Sequence, residues 1–190
     1  MKSEKRDAEK SNSPKLKSEK SAAGRKRSVS GRWVAQMGLY VAVALICSYI
    51  ETLIPIQFGV PGIKLGLTNL VVLAALYCLS ERDAVLINLL RILLVGFTFG
   101  NLFSLLYSIV GGLLSGLTMI LMKRFGRFDI TAVSVAGGIM HNVGQILVAM
   151  VVLETKSLLY YLPVLWISGI AAGLVIGLLS KEVVRRLPSL

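Results

Sequence analysis

From Trp33 to Lys181 the chain is a succession of long apolar segments, broken at short intervals by charges, prolines or glycines. That pattern narrows the fold more than any other feature. A segment of about 20 apolar residues is long enough to cross a hydrocarbon core of about 30 Å, and inside lipid every backbone N–H and C=O must find its partner within the structure. Helices satisfy this, and the spacing predicts six: 34–54, 64–80, 84–100, 102–122, 131–153 and 158–180. The breaks fall at Pro55 to Gly62, Glu81-Arg82-Asp83, Gly100-Asn101, Lys123 to Asp129 and Glu154-Thr155-Lys156. The expected fold class is therefore an all-α integral membrane bundle. Composition agrees, with 16% charged residues against roughly a quarter in soluble domains.

Charge placement orients the bundle. Residues 1–32 carry 11 of the 21 Lys and Arg, in a polar stretch too poor in apolar groups to offset its ordering entropy, so a disordered basic tail is expected there. With this tail in the cytoplasm, 18 of the cations lie on that side, Lys64 and Lys156 lie outside and Arg91 falls within a span. The positive-inside rule then puts both termini in the cytoplasm, with 33–182 as the membrane domain and 183–190 as a short cytoplasmic tail. The basic tail lacks the aromatic or helical reading elements of a nucleic-acid surface, so no nucleic-acid partner is expected. Nor does it precede its first apolar segment as a cleavable leader would, and that segment is expected to stay as an anchor.

The chemistry-bearing residues are few. Cys47 and Cys78 lie inside apolar spans as packing residues, and neither they nor the single His141 offer metal-ligand spacing, so no metal or cofactor is expected. There is no Gly-rich phosphate loop ending in Gly-Lys-Ser/Thr. The acids beyond the tail are Glu51, Glu81, Asp83, Asp129, Glu154 and Glu182, too dispersed to hold magnesium against a diphosphate. The chain is not expected to be an enzyme.

Polarity that survives inside the bilayer is the functional signal, because an intramembrane ionisable group costs at least about 2.5 kcal/mol unless paired or hydrated. Glu51 ends the first span. Lys64, Thr68 and Asn69 open the second, with Lys64 and Thr68 on one face. The third carries Asn88 and Arg91, three residues apart on one side. Arg91 lies too deep to snorkel easily, and its candidate partners are a substrate carboxylate or phosphate, Glu51, or backbone carbonyls. In the fifth span Ser134, Gly138, His141 and Gln145 form one stripe, with Asn142 one step round. A lone His there serves either as an interhelical hydrogen-bonder or as a cavity group. Asn101, Ser104, Tyr107 and Ser108 add polarity to the fourth. Together Glu51, Lys64, Thr68, Asn69, Arg91, His141, Asn142 and Gln145 outline an outward-opening, substrate-binding pocket for a small polar or anionic solute. Small residues at helix-packing spacing, Gly169, Gly173 and Gly177 in the sixth span and Ala35, Gly38 and Ala42 in the first, serve internal packing or a partner protein.

These segments also carry a resemblance. Glu51 with Ile54-Pro55, Pro61-Gly62-Ile63-Lys64-Leu65-Gly66-Leu67-Thr68-Asn69, Ser134-Val135-Ala136-Gly137 and His141-Asn142-Val143-Gly144-Gln145 are similar to the bacterial Gx transporter family, also catalogued as heptaprenyl diphosphate synthase component I. The resemblance spans roughly 34–182. It implies a plasma-membrane bundle like the substrate-binding subunits of energy-coupling-factor transporters, which rely on a separate coupling subunit and ATPases. It leaves open a non-catalytic accessory role in polyprenyl diphosphate synthesis or in flavin- or quinone-linked electron transfer.

Overall fold

The computed structural model describes residues 30–53 and 66–187. Residues 1–29 of the expected disordered tail lie outside the described residues, as does the Pro55 to Gly62 loop, while Gly31 and Arg32, expected in the tail, already belong to the first helix. Among the described residues the chain forms six α-helices: α1 (Gly31–Leu53), α2 (Leu67–Cys78), α3 (Glu81–Phe99), α4 (Leu102–Phe125), α5 (Ile130–Val152) and α6 (Leu162–Arg186). A 3₁₀ turn at Lys156–Tyr161 leads into α6.

Local chemistry sets the ends. Ser80 opens α3, accepting from the Asp83 amide at 3.2 Å and donating to Asp83 Oδ2 at 2.8 Å, with Glu81 and Asp83 in the first turn. Asn101 opens α4 by accepting from the Ser104 amide at 2.8 Å, which explains a break that no charge marks. Pro163 sits in the first turn of α6, where its missing N–H leaves nothing unsatisfied.

Four of the described helical segments are long and apolar enough to cross a membrane: α1, α4, α5 and the 3₁₀ turn with α6. The other two differ from the expected spans for distinct reasons. α2 has 12 residues, about 18 Å of helix, and is shorter than the expected 64–80. Its flanking residues 64 and 65 are not described. α3 has 19 residues but starts at the charged Glu81-Arg82-Asp83 and carries Arg91. Each of these helices needs the others around it.

The backbone divides after Ala35, and the packing belongs to the unit from Gln36 onward. Its five later helices close into a ring, each touching two neighbours in the order α2, α3, α4, α5, α6 and back to α2. The α5–α6 seam is the most extensive and α4–α5 follows. Between helices already in lipid there is little hydrophobic drive, so close backbone approach must supply the attraction. Glycines permit it. A Cβ on Gly173 would stand 2.6 Å from Val135 Cα, one on Gly138 2.7 Å from the Gly169 carbonyl, and one on Gly144 2.8 Å from Gly111 Cα. The Gly169, Gly173 and Gly177 stripe is thus consumed inside the bundle. Ala35, Gly38 and Ala42 are exposed, and a Cβ on Gly38 would meet nothing within 4 Å.

α2 is the most buried helix of the ring. Val71, Val72, Leu73, Ala74, Ala75, Leu76 and Cys78 are all buried, and a cluster of these with Met37, Ala84, Ile87, Met119 and Val133 forms the apolar core. A helix apolar all round is buried on every side. α1 meets this core through Met37, Tyr40 and Val41.

Charge gathers at one end of the bundle. Arg124 of α4 pairs with Glu81 of α3, Lys181 of α6 reaches Asp129 at 2.9 Å, and Lys123 Nζ donates to the Leu76 carbonyl at 2.6 Å while lying 5.1 Å over the Tyr77 ring. The Glu81 carboxyl is held below its ordinary range chiefly by its hydrogen bond from Arg124, and Asp129 likewise by Lys181.

The seam makes a paired prediction. Gly173→Leu forces a side chain into the α5 backbone and should remove the folded, monodisperse species in detergent, whereas Gly38→Leu should leave the melting temperature within about 2 °C. Size-exclusion profiles and thermal unfolding of the two variants check it.

Candidate functional site

At the end of the ring opposite those charges, the helices enclose a cavity of about 180 Å³. It is somewhat larger than the ~150 Å³ apolar cavity that accepts benzene in an engineered lysozyme, but its lining is mixed. Ser48 and Glu51 come from α1, Thr68 and Asn69 from α2, Arg91 and Gly96 from α3, Ser104 and Ser108 from α4, Ser134, Gly138, His141, Asn142 and Gln145 from α5, and Ser168, Gly169 and Ala172 from α6. Seven of the eight expected pocket residues therefore meet around one space. The eighth, Lys64, lies outside the described residues.

Proximity does not give these side chains one role. Glu51 faces the start of α2, where its Oε1 accepts from the Leu67 amide at 2.5 Å and its Oε2 from the Thr68 hydroxyl at 3.1 Å. The residue before that helix, Gly66, holds the left-handed conformation (φ 75°) and provides no side-chain cap. A carboxylate from α1 thus satisfies a helix N-terminus that its own sequence leaves bare, in the electrostatically favoured position. Ser48 lies 3.0 Å from the Thr68 hydroxyl, completing a buried clamp between α1 and α2.

Asn142 is tied across the seam. Its Nδ2 donates to the Leu165 carbonyl at 2.7 Å and lies 3.4 Å from Ser168 Oγ. Small neighbours make this possible, since a Cβ on Gly169 would come within 3.0 Å of that same nitrogen.

Among the described residues Arg91 is held by its own helix, through a residue not among its expected partners. Its Nη2 donates to Asn88 Oδ1 at 2.9 Å, and Asn88 Nδ2 donates to the Gly112 carbonyl of α4 at 3.2 Å. Among the described residues no ion pair joins it to Glu51. Its Nε–H is buried with no hydrogen-bond partner among the described residues. Gln145 Oε1 of α5, in the same lining, is also buried with no hydrogen-bond partner among the described residues. His141 lines the same wall, with Nδ1 packed against Gly111 so closely that a Cβ there would stand 3.1 Å away.

Sequence reading missed Ser48, Ser168 and the positioning role of Asn88. Ser48 was accessible by helical spacing, one turn before Glu51. Ser168 carries no such mark, because its place in the wall follows from the α5–α6 crossing. Asn101 and Tyr107, read as polar additions to the fourth span, are not in the lining, and Asn101 is spent on capping α4.

The architecture defines an all-α membrane protein with a polar cavity inside its helix ring. Residues 40–183 match the family model described as heptaprenyl diphosphate synthase component I, and the chain belongs to that family. No curated protein and no solved structure matches it.

The clamp gives a prediction. Glu51→Ala should destabilise the bundle by about 0.5–2 kcal/mol, the range for losing a helix N-terminal cap, while Glu51→Gln keeps an acceptor for the Leu67 amide and should lose less. Denaturation of both variants in the same detergent measures the difference.

Proposed function

We propose that this protein is a solute-binding membrane transport subunit, not an enzyme, that takes a small polar or anionic solute into its cavity from outside the cell. The observation that carries the reading is Arg91. A guanidinium deep in a membrane bundle is costly unless its hydrogen-bonding capacity is met, yet Asn88 meets only part of it and the buried Nε–H has no acceptor among the described residues. A solute acceptor is the missing partner.

The orientation follows from charge. Lys123, Arg124, Lys181, Arg185 and Arg186 crowd the end away from the cavity, and the positive-inside rule assigns that end, with both chain termini, to the cytoplasm of a bacterial plasma membrane. The cavity then opens outward. In the absence of a phosphate loop in its sequence, the chain needs energy from elsewhere, supplied by a membrane coupling subunit with ATPases.

The family description favours a second reading, a non-catalytic membrane accessory to polyprenyl diphosphate synthesis; an accessory to a flavin- or quinone-linked electron-transfer protein is the other form that reading takes. The two readings part in native mass spectrometry of the tagged protein drawn gently from its own membrane. Under the transport reading a small molecule travels with the wild type and is lost from Arg91→Leu, which keeps its melting temperature. A stoichiometric synthase or flavoprotein beside an empty cavity would establish the accessory reading instead.

A further inference from the structure

Resting on the solute-binding reading, the cavity also states what its solute must look like. Among the described residues, Arg91 Nε–H and Gln145 Oε1 are buried atoms of its lining without a hydrogen-bond partner, and they are opposite in kind, a donor and an acceptor. Leaving either unmatched carries a desolvation cost, so the fitting occupant satisfies both. Two other polar groups of the wall are committed to the protein itself. Glu51 is bound to the start of α2 and Thr68, and Asn142 to the α6 backbone.

The charges narrow the class further. Arg91 is the described cation in the lining and Glu51 the described anion. A dianionic phosphate would bring two negative charges to one guanidinium while facing a fixed carboxylate, whereas a carboxylate brings one. A cationic solute would find Glu51 occupied by the helix that it caps. We infer that the solute is a small monocarboxylate carrying an N–H or O–H donor, its carboxylate on Arg91 and its donor on Gln145.

The test uses paired probes on the full-length protein in lipid nanodiscs, read by equilibrium binding. Lactate and orotate carry both a carboxylate and a donor. Propionate and benzoate are their donor-less counterparts, uracil has the donor edge without the charge, and inorganic phosphate has the charge without the carboxylate geometry. The donor-bearing acids should bind on the order of tenfold more tightly than their counterparts, the worth of one buried hydrogen bond. Gln145→Leu should erase that ratio without weakening propionate or benzoate, and Arg91→Gln should weaken all four acids. Each variant is first required to match the wild-type melting temperature, with Gln145→Met, of similar shape and without the amide acceptor, taking the place of Gln145→Leu and carrying the same expected loss of the ratio if Gln145→Leu fails to fold. Equal binding of paired acids, or a ratio untouched by Gln145→Leu, overturns the inference and leaves the solute-binding reading standing. Preference for uracil or phosphate overturns the carboxylate assignment in the same way. Binding by no member of the panel overturns it as well, and a native small molecule that still co-purifies and is lost with Arg91→Leu would keep the broader reading.

Discussion

A guanidinium in the middle of a helix that must pack among lipid-embedded neighbours is the constraint around which this bundle is built. Arg91 cannot be left in hydrocarbon, and α3 meets part of the demand within its own turn: Asn88 accepts from Arg91 and donates in turn to the Gly112 carbonyl of α4. One relay therefore does two things. It holds the charge and it joins α3 to α4. Because α3 is also flanked by α2, placing Arg91 inside the ring decides which face of α3 looks inward and where the polar cavity lies.

The rest of the ring divides the labour. On the α5–α6 side, glycines bring backbones into contact, so the wall is rigid and its polar groups, Asn142 above all, are fixed by crossing hydrogen bonds. On the other side, α2 is a short apolar plug whose N-terminus is completed by Glu51 from α1. That bond makes the two sides unequal. α1 is joined to the ring by the Ser48–Thr68–Glu51 clamp and by the side chains packed around Met37, while much of its surface, including Leu39, Ile46 and Leu53, faces outward.

Much of this was written in the sequence because lipid leaves few choices. Runs of apolar residues fixed six helices and their order, and the four-residue spacing of Gly169, Gly173 and Gly177 announced a close helix contact. The polar stripe of α5 was legible for the same reason, since helical periodicity puts Ser134, Gly138, His141 and Gln145 on one face and a polar face in a membrane bundle turns inward. What periodicity could not give was the matching of donors to acceptors across helices. Glu51 read as a pocket group or an internal partner; it lines the cavity and also caps α2, because Gly66 opens that helix without a side chain of its own. Arg91 read as paired with Glu51, a carbonyl or a solute, and its described partner is Asn88. The small residues of α1 carried the same spacing as those of α6 yet are exposed, since spacing permits an approach without requiring one.

The most direct test of the central claim is a high-resolution cryo-EM structure of the protein kept in its native lipids from extraction onward. The account predicts a discrete density inside the helix ring within hydrogen-bonding distance of Arg91 Nε, with the Asn88 relay intact and Glu51 still on the Leu67 amide. An Arg91 turned onto Glu51, or onto a lipid headgroup, with the cavity closed around it would contradict the account and make the guanidinium a structural charge.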